Sequence, residues 1–373
     1  MKLLFVSNLF PDKSDPIRGL DNANLLRYLK PHIDEISVIA LRPTLPLFKK
    51  NWQARTEDAD LNPTFQSVPY IPKIGSRWNH SLMASAIKAP VKNSNCDHIL
   101  VSWLFPDGCA IAKVADVPFT MICQGSDAHA YLGNPIRKKF IIDAIGKSNA
   151  VITRSADLAT RLENAGAARD KLHPVYNGVN TQLFTPKGDS EPILDPNARW
   201  LLFVGNFLPV KNPHLLLDAW ILARKSMPEV DIRLAIIGSG PMEDEIRKKA
   251  ANAGLSDALL ITGRQPPREV AKYMRAADLL CLSSHNEGVP NVVLEAFSSG
   301  IPVISTDVGG ISEVLNEPLL GKLVTPGNTQ ELAAAITTTL RSPSNTEEIS
   351  RHAQRYSWQK AASAYFGIVN TLF

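Results

Sequence analysis

At 373 residues the chain has room for two domains of about 100–200 residues each. With 45% hydrophobic and 20% charged residues and a mean hydropathy of -0.06, its composition is ordinary for a globular protein, which excludes disordered, collagen-like and charge-tail proteins. Residues 1–177 carry 22 Lys+Arg against 16 Asp+Glu (+6) and the remainder 18 against 20 (−2), so the basic first half reads either as a face for an anionic lipid surface or phosphorylated acceptor, or as a solvated face.

The opening, MKLLFVSNLFP, is a short apolar run closed by Pro and charge without a small-residue cleavage site, which predicts a first strand and no signal peptide. No run reaches the about 18 apolar residues of a membrane helix. Strands are predicted at KLLFVSN, ISVIAL, SVPYI, HILVSW, FTMICQG, AVITRS and LHPVYNG, with helix-length amphipathic stretches between them. Among these, Lys73 to Lys92 mixes cations with Trp78, Leu82, Met83, Ala86 and Ile87 at helical spacing, and reads either as a helix packed into the core or as one lying on an anionic bilayer. After Asn177 the stretch TQLFTPKGDSEPILDPNAR reads as a linker. The strand pattern then restarts with WLLFVGN, IRLAIIGSG, LLITG, LLCLSS, PVISTD and GKLVTP, and a terminal helix runs from about Tyr356.

Near-continuous apolar strands alternating with helices imply parallel sheets covered on both faces. The expected fold class is α/β with two doubly wound Rossmann-like domains, 1–178 and 179–355, followed by the terminal helix 356–373; ligands would bind outside the carboxyl ends of the strands, in a central cleft that the two domains face. Cys96, Cys109, Cys123 and Cys281 lack any metal-ligand spacing and read as buried, reduced thiols of a cytoplasmic protein.

The segment from Ser283 to Gly310, SSHNEGVPNVVLEAFSSGIPVISTDVGG, passes from a strand through a Gly-Pro loop into a helix expected to start near Pro290. Glu287 and Glu295 are eight residues apart, about 12 Å if helical throughout, too far to act on one atom but suited to the two ends of an extended ligand. The N–H groups of Val289 and of Asn291 to Val293 offer a phosphate site between them. A carboxylate at each end with phosphate between describes a nucleotide sugar. In VGNFLPVKN, Gly205 allows close approach and Lys211 places a cation where a departing diphosphate gains charge; a solvated lysine is the plain alternative. The GSGPMEDE loop at Gly238 carries Glu243 where a dinucleotide-binding loop has its third glycine, which disfavours a dehydrogenase. Asp127 reads as a hydrogen-bond acceptor for a sugar hydroxyl or as a helix cap, Trp103 as core, and the Asp58–Asp60 pair as a surface turn rather than a metal site.

Together, EGVPNVVLE with seven residues between its glutamates, VGNFLPVKN, GSGP, YNGVNTQLFTP at the domain junction and DVGGISEVL closely resemble the family 4 glycosyltransferases, retaining enzymes of the GT-B fold. WLFPDG followed by GSD resembles the acceptor-side domain of polysaccharide-type members. The expected catalytic set is Glu287, Lys211 and Asp127; the resemblance implies Glu287 on donor-sugar hydroxyls and Lys211 on the diphosphate, while Asp127 enters from its own place in CQGSDAH. It implies a donor site of Gly19, Gly205, Asn206, Gly238, Gly263, Arg264, Gly288, Val289, Asn291, Val292, Val293 and Glu295, the last on the ribose, and an acceptor side at Gln124, Gly125 and Ser126. Asn206 stands where many members have Arg, which assigns the second diphosphate cation elsewhere, with Arg18 as candidate, and Gln124 stands where many have His or Arg.

The resulting expectation is a cytoplasmic, metal-independent, retaining glycosyltransferase without a cofactor, using a UDP- or GDP-linked sugar and a saccharide or lipid-linked acceptor in cell-surface polysaccharide or glycolipid synthesis. Peripheral contact with the inner face of a membrane is compatible with the basic first half, and nucleic acid is not an expected partner. Two rival readings are a nucleotide-sugar epimerase of the same fold, which needs acid/base carboxylates in the first domain, and a two-lobed solute-binding protein, which needs neither Glu287 nor Glu295.

Overall fold

The computed structural model describes residues 1–44, 52–72 and 74–371; Lys73 of the basic segment lies outside them. The chain forms two compact units, Met1–Gly178 together with the helix Trp358–Asn370, and Val179–Ser357.

Among the described residues, the first unit builds one parallel sheet from β1 (Lys2–Ser7), β2 (Glu35–Thr44), β3 (Pro63–Pro69), β4 (His98–Ser102), β5 (Phe119–Cys123), β6 (Ala150–Thr153) and β7 (Leu172–Pro174), in the order β3-β2-β1-β4-β5-β6-β7. Every residue of β4, β5 and β6 is buried, as strands covered by helices on both faces must be. The chain starts in the middle, at β1, and winds outward both ways, so the loops after β1 and β4 part from each other at the switch point. One helical layer is the terminal helix: Trp358, Ala361, Ala362 and Tyr365 join Phe5, Leu25 and Leu26 in a single core, and Trp358 stacks on Tyr28 at 6.5 Å.

The second unit repeats the plan with β8 (Arg199–Val204), β9 (Ile232–Ile237), β10 (Leu259–Ile261), β11 (Leu279–Leu282), β12 (Val303–Thr306) and β13 (Gly321–Val324), in the order β10-β9-β8-β11-β12-β13, again parallel throughout. Its switch point lies between β8 and β11.

Three local expectations change, and of the two readings for the helix after Trp78 the core-packed one holds. The stretch after Asn177 is not a loose linker: Phe184 and Leu194 are buried, and Arg275 donates to the carbonyls of Leu183 and Asp189. The third strand begins earlier, at Pro63, and ends at Pro69, because it follows the register of β2 from Val38 onward rather than the apolar run SVPYI. In the helix Asn79–Asn93, Met83, Ala84, Ile87 and Val91 are buried in the core, so its apolar face is already covered, although Trp78 just before it is 51% exposed. The Asp58–Asp60 pair is no simple surface turn either. Asp58 is fully buried and accepts from both Arg27 and Arg55, while Asp60 meets Lys30 at 3.0 Å in the open.

Removing one partner of a buried ion cluster strands the charges left behind, whereas exposed pairs contribute little. Asp58→Ala is therefore expected to destabilise the protein by about 3–5 kcal/mol in denaturant titrations and Asp60→Ala by less than about 1 kcal/mol; equal effects would contradict the ion cluster at Asp58.

Candidate functional site

At the carboxyl edge of the second sheet, the loop after β11 carries Ser284 and Glu287, and the turn after β8 carries Lys211. These three meet. Lys211 Nζ and Ser284 Oγ both donate to Glu287 Oε1, each at 2.6 Å. The pair is largely shielded, with side-chain exposures of 26% for Lys211 and 10% for Glu287. Oε2 of Glu287 has no hydrogen bond among the described residues, so the carboxylate is oriented through one oxygen and offers the other. The two loops are tied by their backbones as well: Ser283 Oγ donates to the carbonyls of Lys211 and Asn212, and His285 N donates to Val210 O at 2.8 Å. Thr306, at the end of β12, donates to Ser284 O. Gly309, at φ 58°, passes so close to the Glu287 carbonyl that any side chain there would collide with it. Gly310 N then donates to Gly288 O at 3.2 Å.

The helix that follows is Asn291–Ser298, with Pro290 as its N-cap in extended conformation, one place earlier than the first-turn position expected for it. Of the donors expected there, the Val293 N–H is already taken by Pro290 O at 3.0 Å. The N–H groups of Gly288, Val289 and Val292 carry no hydrogen bond among the described residues. Glu295 lies in the same helix, half-buried. The glycine turns after β8, β9 and β10 converge: Gly205 N donates to Ile237 O, Gly238 N donates to Gly263 O at 2.9 Å, and Gly238, at φ 151°, lies directly against the Gly205 carbonyl. Asn206 and Arg264 are exposed beside this turn cluster.

The carboxyl edge of the first sheet is organised differently. Asp127 is fully buried, and its two oxygens accept from the N–H groups of Leu104, Gln124, Gly125 and Ala128 at 2.8–3.1 Å. A residue so enclosed cannot meet a substrate proton, which corrects its place in the expected catalytic set: it clamps the loops after β4 and β5. Burial raises its pKa, opposed by those N–H bonds. Asp107 is a second clamp, accepting from the backbone and side-chain nitrogens of Asn8 at 2.6 and 2.8 Å, and burial pushes it up to about 7. The Gln124 amide nitrogen donates to Asn22 Oδ1 and Ser102 Oγ at 3.0 and 2.7 Å, so only its oxygen remains to face a ligand; Gly125 is buried and Ser126 exposed. Gly19 is a left-handed N-cap against Leu9, and Arg18 is bonded to Asn8 O at 3.0 Å. Burial also pushes His80 and His98 down to about 4, as neutral core residues. Among the described residues no group of three or more His, Cys, Asp or Glu side chains is placed to hold a metal, and no helix is long and apolar enough to cross a membrane.

Sequence reasoning missed Ser284, which no motif distinguishes from an ordinary loop serine, and misplaced Trp103. The latter is half-buried at φ 92°, not core.

Comparison with known proteins supplies the context. Residues 22–183 match the model described as Glycosyltransferase Family 4 and residues 189–356 that described as Glycosyl transferases group 1. A D-inositol 3-phosphate glycosyltransferase of Pseudarthrobacter chlorophenolicus is 30% identical over 228 residues, 58% of this chain and 54% of that protein, so the match spans about half of that relative's length. A Bacillus subtilis protein provisionally named as a teichuronic acid biosynthesis glycosyltransferase is 27% identical over 371 residues, 90% of this chain and 88% of its own. Among solved structures, Anabaena HepE in complex with UDP superimposes with a TM-score of 0.76 at 20% identity, covering 100% of this chain and 99% of that one. Sucrose-phosphate synthase of Thermosynechococcus elongatus gives 0.81 at 18% identity over the same shares.

The clamps have a pH signature. Asp107 keeps its proton in the folded state up to about 7 against 3.8 for a free side chain, so between these values the unfolded chain releases a proton that the folded chain retains, and stability falls as pH rises through that window. Asp107→Asn is expected to lose less melting temperature than the parent between pH 4 and pH 8, read by thermal scans across that range; an identical loss would show that Asp107 does not contribute to it.

Proposed function

Because the chain belongs to the family 4 glycosyltransferases of the GT-B fold, we propose that it moves a sugar from a nucleotide diphosphate sugar to a hydroxyl acceptor with retention of configuration. The observation that carries this reading is the oriented Lys211–Glu287–Ser284 cluster beside the unbonded N–H groups of Gly288, Val289 and Val292. A cation, a carboxylate with one open oxygen and a row of backbone donors match a diphosphate joined to a polyhydroxylated ring.

In this reading Glu287 Oε2 accepts from a donor-sugar hydroxyl. The remaining Lys211 N–H groups and the backbone donors hold the diphosphate and stabilise it as it departs, and Glu295 receives the ribose hydroxyls. The C1–O bond to the diphosphate breaks, the acceptor oxygen bonds to C1 on the same face, and the acceptor proton passes to the leaving phosphate oxygen. The protein's own contribution is positioning and charge stabilisation. Because Lys211 and the helix N-terminus supply the counter-charge, transfer proceeds without a metal. The glycine turns at Gly205, Gly238 and Gly263, with Asn206 and Arg264, form the side that meets the nucleotide, and the loops at Gln124, Gly125 and Ser126 form the side that meets the acceptor. The free cysteines fit a cytoplasmic setting.

The donor is UDP- or GDP-linked, and UDP is the first choice because the Anabaena neighbour was solved with it. A cell-surface saccharide as acceptor is in keeping with the name of the Bacillus subtilis relative. The epimerase reading is disfavoured at Asp107 and Asp127, two carboxylates at the edge of the first sheet that hold backbone N–H groups instead of standing open as acid and base.

Calorimetric titration with UDP, GDP and ADP, each in EDTA and in magnesium, is expected to show binding of UDP or GDP that magnesium does not change. Lys211→Ala should weaken it about ten- to a hundredfold, as loss of a charge-assisted contact does. Binding that requires magnesium, or an unchanged affinity in the folded variant, would contradict these roles.

A further inference from the structure

Trp103 is the residue whose conformation the transferase reading does not yet explain. It directly follows β4, the strand beside β1 at the switch point of the first sheet, where a doubly wound sheet opens to its ligands. Its backbone sits at φ 92° and ψ 119°, a region that a bulky side chain occupies only under strain.

The strain is held from several sides. Trp103 N donates to Ile122 O at 3.1 Å and Gly108 N to Trp103 O at 2.9 Å. The next residue, Leu104, donates to the Asp127 clamp at 2.9 Å, and Asp107 ties the end of the same turn to Asn8. Two fully buried carboxylates thus fix one short loop, and what the loop presents is an indole.

The ring itself is fixed as well. Tyr131 meets it edge to face, with centroids 6.4 Å apart and planes at 80°. Arg137 in turn lies over the Tyr131 ring at 4.5 Å and over Phe105 at 5.5 Å, which gives Tyr131 a second contact. Trp103 is half-buried, so part of it stays accessible beside this arrangement. Beside it, Gln124 donates to Ser102, the residue before Trp103, and its amide oxygen carries no hydrogen bond among the described residues. A rigid aromatic surface next to an oriented amide acceptor is the complement of a sugar ring, whose C–H face is apolar and whose rim is hydroxyl.

We infer that Trp103 is a specificity-determining residue that stacks on the sugar ring of the acceptor, with Tyr131 and Arg137 as positioning residues, so the acceptor presents a saccharide rather than a bare lipid alcohol at this point. This rests on the transferase reading for the word acceptor, while the sugar platform itself does not.

The test is saturation-transfer NMR with the methyl glycosides of glucose, galactose, mannose and N-acetylglucosamine, with cyclohexanol as a ring of similar size that lacks the hydroxyl rim. Trp103→Gly removes the indole and relieves the backbone, so it should fold at least as stably as the parent; Trp103→Phe keeps an aromatic face. At least one glycoside should bind through the protons of one ring face, cyclohexanol should not, and the affinity should fall about three- to tenfold in Trp103→Gly but less in Trp103→Phe. UDP titration is run in parallel on each protein and should be unaffected by either substitution. Undiminished glycoside binding in Trp103→Gly, cyclohexanol binding as well as the glycosides, or no glycoside binding at all would overturn the platform. Glycoside binding lost with Trp103, in a protein that binds no nucleotide, would uphold the platform and remove the transferase reading.

Discussion

When every strand of a sheet runs the same way, every strand delivers its chain to the same edge, and the loops that leave that edge must share a small space. Both sheets here obey that constraint without an antiparallel exception, and in both the chain begins in the middle and winds outward. The residues that can do chemistry follow from it. Lys211 after β8 and Glu287 after β11 are 76 positions apart in sequence yet meet at 2.6 Å, because β8 and β11 are neighbours in the sheet. The same geometry brings Asn8 after β1 to Asp107 after β4 in the first unit.

The two edges use carboxylates in opposite ways, and burial decides which. Asp107 and Asp127 are completely enclosed: both oxygens of Asp127 and Oδ2 of Asp107 accept from backbone and amide N–H groups, and burial disfavours the ionisation of both. They act on loops. Glu287 keeps some exposure, receives a cation and a hydroxyl on one oxygen, and keeps the second clear. A carboxylate restrained in this way is oriented before any ligand arrives, which is the condition for stabilising charge without reorganising. The first unit thus uses its buried carboxylates as rigid clamps, whereas the second keeps a polarised, partly open pair.

Much of this architecture was legible in the sequence. The apolar runs mark the strands because a parallel sheet buried on both faces requires apolar residues at nearly every position, and the gap between Glu287 and Glu295 is readable because a loop followed by a helix has a defined reach. What was not legible depends on burial and on contacts far apart in sequence. DxD at Asp58 looks the same whether it lies on the surface or under Arg27 and Arg55, and only the packing of the first unit reveals the ion cluster. Asp127 in GSD reads as a helix cap, but the convergence of Leu104 N from the loop after β4 on the same carboxylate depends on packing far apart in sequence. Trp103 reads as core because tryptophan is highly buried on average, and its positive-φ backbone cannot be inferred from WLFPDG.

The central claim is that Glu287 handles the sugar of the donor and not the nucleotide. Its most direct test follows nucleotide diphosphate release from UDP-glucose, UDP-N-acetylglucosamine and GDP-mannose by phosphorus NMR, with the methyl glycosides of glucose, galactose, mannose and N-acetylglucosamine supplied as acceptors, in the parent and in Glu287→Gln, and with nucleotide affinity measured on the same samples. The account predicts turnover of at least one donor by the parent, a loss of about 10²–10³-fold in the variant, and a nucleotide affinity that moves by less than about threefold. Turnover at the parental rate in a folded Glu287→Gln protein would contradict it.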